Sequence, residues 1–274
     1  MIDLVQLRAT AFRVRFGADH TIEPCRGDRQ FRSAKGRNVR NPGSVAPIGG
    51  EAAGVFTGEH SIPAMSPELD EWFSAERMAP YLAACHGDRE RAEALYAWNA
   101  DLSAACWRTL GHVEVLLRNA LHGELVTWTA KAYGDSCWYR VAQAELHPNG
   151  RADIARAIRR ASRAGRMETG GRVVAELSLG FWRYLLAARY DPTLWRWCLH
   201  RAFPHATGAR RGVEHQVADL HRLRNRIAHM EPLHRMPLPR LHASALTVAG
   251  WICPEARDWI ASGDQVPRVL GQRP

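Results

Sequence analysis

Along residues 213–227 the apolar positions Val213, Val217, Leu220, Leu223 and Ile227 recur at intervals of three and four, the spacing of one helix face. The same period joins Leu102, Cys106, Leu110, Val113, Leu117, Leu121, Leu125 and Trp128, which predicts a long helix stopping near Gly134. Ser74 suits the N-cap of SAERMAPYLAACHG, which His86-Gly87 ends, and Asp88 suits that of RERAEALYAWNA. A break at Asp101 or Ser103 is expected between this segment and the long helix. Further helices are expected over 149–164, 171–190, 209–230, 238–252 and 255–261, with a short one after Asp191-Pro192. No alternating apolar–polar run bounded by turn residues predicts a sheet. The pattern therefore predicts an all-α bundle of about six to eight helices.

Residues 1–64 break this rhythm. They lack sustained periodicity, and NPGSVAPIGGEAAG (41–54) has the composition of a linker. The expectation is a disordered extension or an overlong start, with Met65 opening the natural chain. The helical domain then spans 65–265, and 266–274 form a tail. No run of 18 apolar residues predicts a membrane helix, and the first residues lack the apolar core of a secretory signal. Six cysteines without a CxxC pair argue against a zinc site or a disulfide scaffold and fit reduced thiols in the cytoplasm. No metal, cofactor or membrane partner is expected.

Charge changes the picture more than its sum of +9 suggests. Residues 1–64 carry nine basic and six acidic side chains, residues 65–145 seven and twelve, and residues 146–274 twenty-one and ten. Lys35 and Lys131 are the only lysines. Arginine contacts phosphate in a bidentate manner and is weakly hydrated, so this distribution suits RNA. An arginine-rich composition can also reflect only a GC-rich coding sequence. The basic helix over 151–166 is correspondingly either a solvated face or a track for the RNA backbone.

The familiar nucleotide-binding, metalloprotease and α/β-hydrolase signatures are absent from the sequence. What remains is HRLRNRIAHMEP (221–232), with an Arg-x4-His pair, Arg224 and His229. The spacing alone is near chance in a chain with 37 Lys+Arg and 13 His, and Arg15/His20 and Arg210/His215 share it. Context separates the three. Arg224 falls within the apolar arc of its helix, where an unpaired charge is costly, and Asn225 follows it directly. Pro232 disfavours helix at Glu231, placing His229 in the last turn, where the electronegative helix end favours a protonated imidazole. A histidine titrating near neutrality can move protons, and a permanently charged arginine can stabilise a phosphorane-like transition state. Five residues of ideal helix set the two side chains about 140° apart, so either the terminal turn is distorted or two chains share the site. Asn225 stands one turn before His229 and is a candidate to orient it.

Three stretches carry a family resemblance: LYAWNADLSAACWRTLGHVEVLLRNALHGEL (95–125), AELSLGFWRYLL (175–186) and HRLRNRIAHMEP (221–232). In this order they resemble the successive blocks of the Abi-like (abortive infection, AbiD/AbiF-type) family of the HEPN superfamily. The resemblance covers about residues 66–255 and implies a HEPN-like helical bundle. It further implies phage defence or toxin-like activity, metal-independent endoribonuclease action, and a homodimer whose motifs meet in a composite site. Under it Arg224 and His229 take the catalytic positions and Asn225 a supporting one. A restraining antitoxin or regulatory partner belongs to the same expectation. The alternative is a catalytically inactive helical protein that binds RNA or another partner.

Within the first block Glu114 and Arg118 stand i, i+4 in the favourable order, with Asn119 adjacent. They form either a register-fixing ion pair or a polar group facing Arg224 and His229. Trp98, Phe181, Trp182, Trp195 and Trp197 are expected as core aromatics. His221 is expected as a solvated side chain or a phosphate contact.

Overall fold

A computed structural model describes residues 69–163 and 167–274. The extension expected over residues 1–64 and the proposed start at Met65 lie outside the described residues.

Helix α1 spans Leu69–Phe73, α2 Ala75–Ala84 and α3 Arg89–Tyr133. They are followed by α4 Trp138–Val141, α5 Pro148–Ala161, α6 Gly170–Glu176 and α7 Leu179–Leu185. The last four are α8 Arg210–Ala228, α9 Leu238–Ile252, α10 Pro254–Ser262 and α11 Val266–Leu270. Short 3-10 and π turns occupy much of 188–202, and no strand is present among the described residues. The protein is an all-α bundle, with more and shorter segments than the six to eight expected.

At its centre lies α3, 45 residues long, which is about 68 Å at 1.5 Å per residue. Leu102, Leu117 and Leu121 on this helix are fully buried, and α2, α7, α8, α9 and α11 all pack against it. The break expected at Asp101 or Ser103 is absent. Ser103 instead donates its hydroxyl to the Asn99 carbonyl one turn back, at 2.7 Å, and Asp101 is exposed, so neither residue starts a new helix. The boundaries at Ser74, Asp88 and Gly134 fall as the sequence predicts. Ser74 and Asp88 accept the amides of Arg77 and Arg91, and Gly134 takes the left-handed conformation (φ 69°) that closes α3.

The single helix expected over 171–190 is two. Leu177 is extended (ψ 128°), and Ser178 caps α7 by accepting the Phe181 amide at 3.4 Å. After Pro192 the chain winds irregularly, with Thr193 at φ −116°, ψ −105°. Two polar clusters tie the helices together. Arg210, buried at the start of α8, bonds the Leu186 carbonyl and pairs with Asp191 and Glu214. Asp264 meets Thr109 of α3 at 3.0 Å, His242 of α9 and the Val266 amide at 2.9 Å. Although burial opposes the charge, the Val266 amide and His242 hold the Asp264 carboxyl below its ordinary range. The segment expected as a tail belongs to the core: Val266 and Val269 are buried, and the Trp98 indole donates to the Val269 carbonyl at 2.7 Å.

The end of α8 is fixed by its neighbours. Met230 takes a left-handed conformation (φ 54°), its amide reaches the Ile227 carbonyl, and the Glu231 amide reaches the Arg226 carbonyl at 2.8 Å. This is a Schellman closure with methionine where glycine is usual. Arg77 of α2 holds the Met230 carbonyl, Arg226 holds that of Pro232, and Asn99 of α3 accepts the Leu233 amide at 2.7 Å. Replacing Asn99 by alanine strands that buried amide, an expected loss of about 1–3 kcal/mol. Urea unfolding of Asn99→Ala should show a lowered midpoint with unchanged slope.

Candidate functional site

Arg224 leaves α8 toward α3. Its guanidinium lies 5.4 Å from the centre of the Trp107 ring, and its Nε stands 3.9 Å from a Glu114 carboxylate oxygen. The sequence places Arg224 within the apolar face, but the side chain is one-third exposed. Its aliphatic stem can follow the helix interface while the charge reaches the surface. Trp107 lies seven residues before Glu114, on the same face of α3. The ion pair is too long for a hydrogen bond, and the buried Arg224 Nε has no hydrogen-bond partner. Glu114 and Trp107 thus orient a guanidinium whose donors remain unspent.

Glu114 is paired with Arg224 and not with Arg118, as the i, i+4 reading expected. The Arg118 Nε is buried without a hydrogen-bond partner, and Asn119 is exposed. Of the α3 candidates, Glu114 alone is brought to the motif arginine among the described contacts. Asn225 also departs from expectation. Its amide nitrogen lies 3.3 Å from His221 Nε2, so the side chain turns back one turn instead of forward to His229. His221 is half-buried rather than solvated. Burial, and then the charges of Arg183 and Arg224, depress its pKa, which favours the neutral imidazole. It lies over the first turn of α7, where a Cβ on Gly180 would come within 3.2 Å of Nε2. The absent side chain at Gly180 permits this approach of α8 to α7.

His229 is the residue that ends α8, with φ −94° and ψ 8°, and its amide donates to the Asn225 carbonyl at 3.0 Å. Its side chain is exposed and makes no hydrogen bond or ion pair among the described residues. The helix is regular through Ala228, so the distortion that would bring His229 round to Arg224 is absent. Within one chain the pair is presented on different sides of the helix: Arg224 against α3, His229 toward open surface.

Beside His221 and Asn225 runs a groove of about 300 Å³, walled by Arg183 of α7 and by Arg222 and Arg226 of α8, with Glu231 at its end. Arg226 is neutralised by Glu231 at 3.2 Å. Arg222 shares Asp219 with Arg240, leaving positive charge in surplus. Arg183, absent from the sequence-derived candidates, contributes a buried Nε without a hydrogen-bond partner. Its location in the second block, directly after the buried Phe181 and Trp182, was the available signal. Trp182, Phe181 and Trp98 are buried as predicted, whereas Trp197 is partly exposed and stacks on Trp128 at 5.4 Å. No group of three or more His, Cys, Asp or Glu side chains suited to a metal occurs among the described residues, and none of their helices is long and apolar enough to cross a membrane.

No family model, curated protein or solved structure matches the chain.

Close to the motif, His234 is buried against Tyr81, ring centres 5.2 Å apart, and neither ring nitrogen has a hydrogen-bond partner. Burial, then Arg235, Arg273 and Arg226, depress its pKa. The unfolded chain therefore takes up the proton first. The stability contributed by a neutral His234 is complete above the unfolded-state pKa of about 6.5 and is lost as the pH falls through it. Urea midpoints measured from neutral pH down to about pH 5 should fall with pH, and less steeply in His234→Phe.

Proposed function

We propose that the chain is an Abi-like HEPN protein of phage defence, acting in abortive infection as a metal-independent endoribonuclease. The observation that carries the reading is the state of the two side chains that define the motif. Arg224 is oriented by Trp107 and Glu114 yet keeps its hydrogen-bond donors free, and His229 stands exposed and unpaired at a helix end. A structural arginine such as Arg210 instead bonds the Leu186 carbonyl and the Glu214 carboxylate through Nη1, although its Nε, like that of Arg224, has no hydrogen-bond partner among the described residues.

The composite site follows from the helix geometry. Because one chain presents Arg224 and His229 on different sides of α8, the proposed site is formed by two copies. In it, the His229 imidazole of one copy removes the proton from a ribose 2′-OH, which attacks the adjacent phosphorus. The bond to the 5′ oxygen breaks, and the second imidazole, protonated, supplies that oxygen's proton. The products are a 2′,3′-cyclic phosphate and a 5′-hydroxyl end. Arg224 neutralises charge on the equatorial oxygens of the transition state. Glu114 positions Arg224, Asn225 fixes His221 at the groove, and Arg118 and Asn119 supply further polar surface on α3. A cytoplasmic location and a restraining antitoxin or regulatory partner complete this reading.

The separation of Arg224 and His229 within one chain also supports a second reading, a helical RNA-binding or interaction protein without catalysis. Cleavage of RNA in EDTA distinguishes the two. Under the nuclease reading His229→Ala lowers kcat by about 10²–10⁴-fold and Arg224→Ala by about 10²–10³-fold. Mixing the two variants should leave activity well below that of the parent, since the shared site of a mixed dimer then holds one imidazole where cleavage uses two. Equal activity in all three proteins overturns the catalytic assignment. Absence of cleavage by the parent with RNA binding retained establishes the second reading.

A further inference from the structure

A second basic concavity is lined by Tyr184, the residue next to Arg183. It is a cleft of about 380 Å³ between the first turn of α5 and the end of α7, where Tyr184, Arg156 and Arg189 stand at its wall with His147 and Asn149. Tyr184 is 59% exposed, unusual for an aromatic on a helix whose Phe181, Trp182 and Leu185 are buried. The Arg183 guanidinium sits 5.6 Å from the centre of the Tyr184 ring. Arg183 thus links the two: it lines the groove beside His221 and Asn225, and its guanidinium lies over Tyr184, which lines the cleft.

The two concavities hold five arginines against two carboxylates, Asp153 and Glu231. Asp153 is spent on Arg156 and Glu231 on Arg226, whereas Arg189 has no ion pair among the described residues. Along α5, Arg151 and Arg159 are likewise exposed without an ion pair among the described residues. Two lining arginines without an ion pair among the described residues, Arg183 and Arg189, with one exposed aromatic beside them, suit a flexible polyanion carrying flat rings: the arginines follow the phosphates and the ring accepts a base. A duplex keeps its bases stacked on each other and offers none to Tyr184.

We infer that single-stranded RNA binds along a track from the groove at His221 and Asn225, past Arg183, into the cleft between α5 and α7, with one base stacked on Tyr184. The inference rests on the nuclease reading for the choice of RNA as the polyanion. It goes further in naming the path and the stacking residue. Tyr184 takes no part in the cleavage step.

The test is binding of a labelled, single-stranded 2′-O-methyl oligouridine to the full-length protein, measured by fluorescence anisotropy. The blocked 2′ oxygen prevents cleavage by 2′-OH attack, so binding is read alone. Tyr184→Ala is expected to weaken Kd by about 5–150-fold, the range for loss of one base–aromatic stack. Tyr184→Phe, which keeps the ring, should bind like the parent. Arg189→Ala should reduce the slope of log K against log salt by about 0.7, one phosphate contact. Parental affinity in Tyr184→Ala, or a Tyr184→Phe protein as weak as Tyr184→Ala, overturns the track. Polyglutamate displacing the oligonucleotide equally from parent and Tyr184→Ala also overturns it and assigns the face to an acidic protein. Binding that depends on Tyr184 while unmodified RNA stays uncut leaves the track standing and removes only the nuclease reading.

Discussion

Burial of one continuous stripe on α3 is the constraint from which the other elements take their places. A helix about 68 Å long gains little from local hydrogen bonds alone and is stabilised by packing along its length. Leu102, Leu117 and Leu121 are shielded completely because α2, α7, α8, α9 and α11 are distributed around them. Several of those contacts are made specific by single polar bonds: Trp98 to α11, Thr109 to Asp264, and Asn99 to the chain after α8. Apolar area brings the helices together, and these bonds select the register at which they meet.

The same helix organises the candidate chemistry. Arg224 is part of α8, but Trp107 and Glu114 of α3 decide where its charge points. The groove depends on α7 approaching α8 at Gly180, and α7 begins where Ser178 caps it. Three sequence blocks far apart in the chain thus converge on one region: α3 orients the arginine, α7 supplies Arg183 and the close approach, and α8 carries the motif.

Much of this was legible in the sequence. The all-α class, the caps at Ser74 and Asp88 and the stop at Gly134 follow from periodicity and local backbone chemistry. Other features were not legible, for identifiable reasons. Ser103 has the composition of a helix start, but its hydroxyl can be satisfied by a carbonyl one turn back, so the sequence does not say whether the helix breaks. The projection of α8 gave Arg224 its place on the apolar arc but not the length of stem that carries the charge out beside Trp107. Asn225 stands one turn from both His221 and His229, and spacing alone cannot choose between them; the structure turns it to His221. Arg183 and Tyr184 lay hidden among core aromatics because exposure of a single position within a short helix depends on its neighbours in space.

The left-handed closure at Met230 has a consequence for how the motif is inherited. The carbonyls and amides just beyond His229 are held by Arg77 of α2, by Asn99 of α3 and by Arg226. The position of the imidazole is therefore a property of three helices and not of the twelve letters around it. A lineage can keep HRLRNRIAHMEP intact and still displace the histidine through a change in α2 or α3. For this chain the placement of His229 is legible only when those distant supports are read together with the motif.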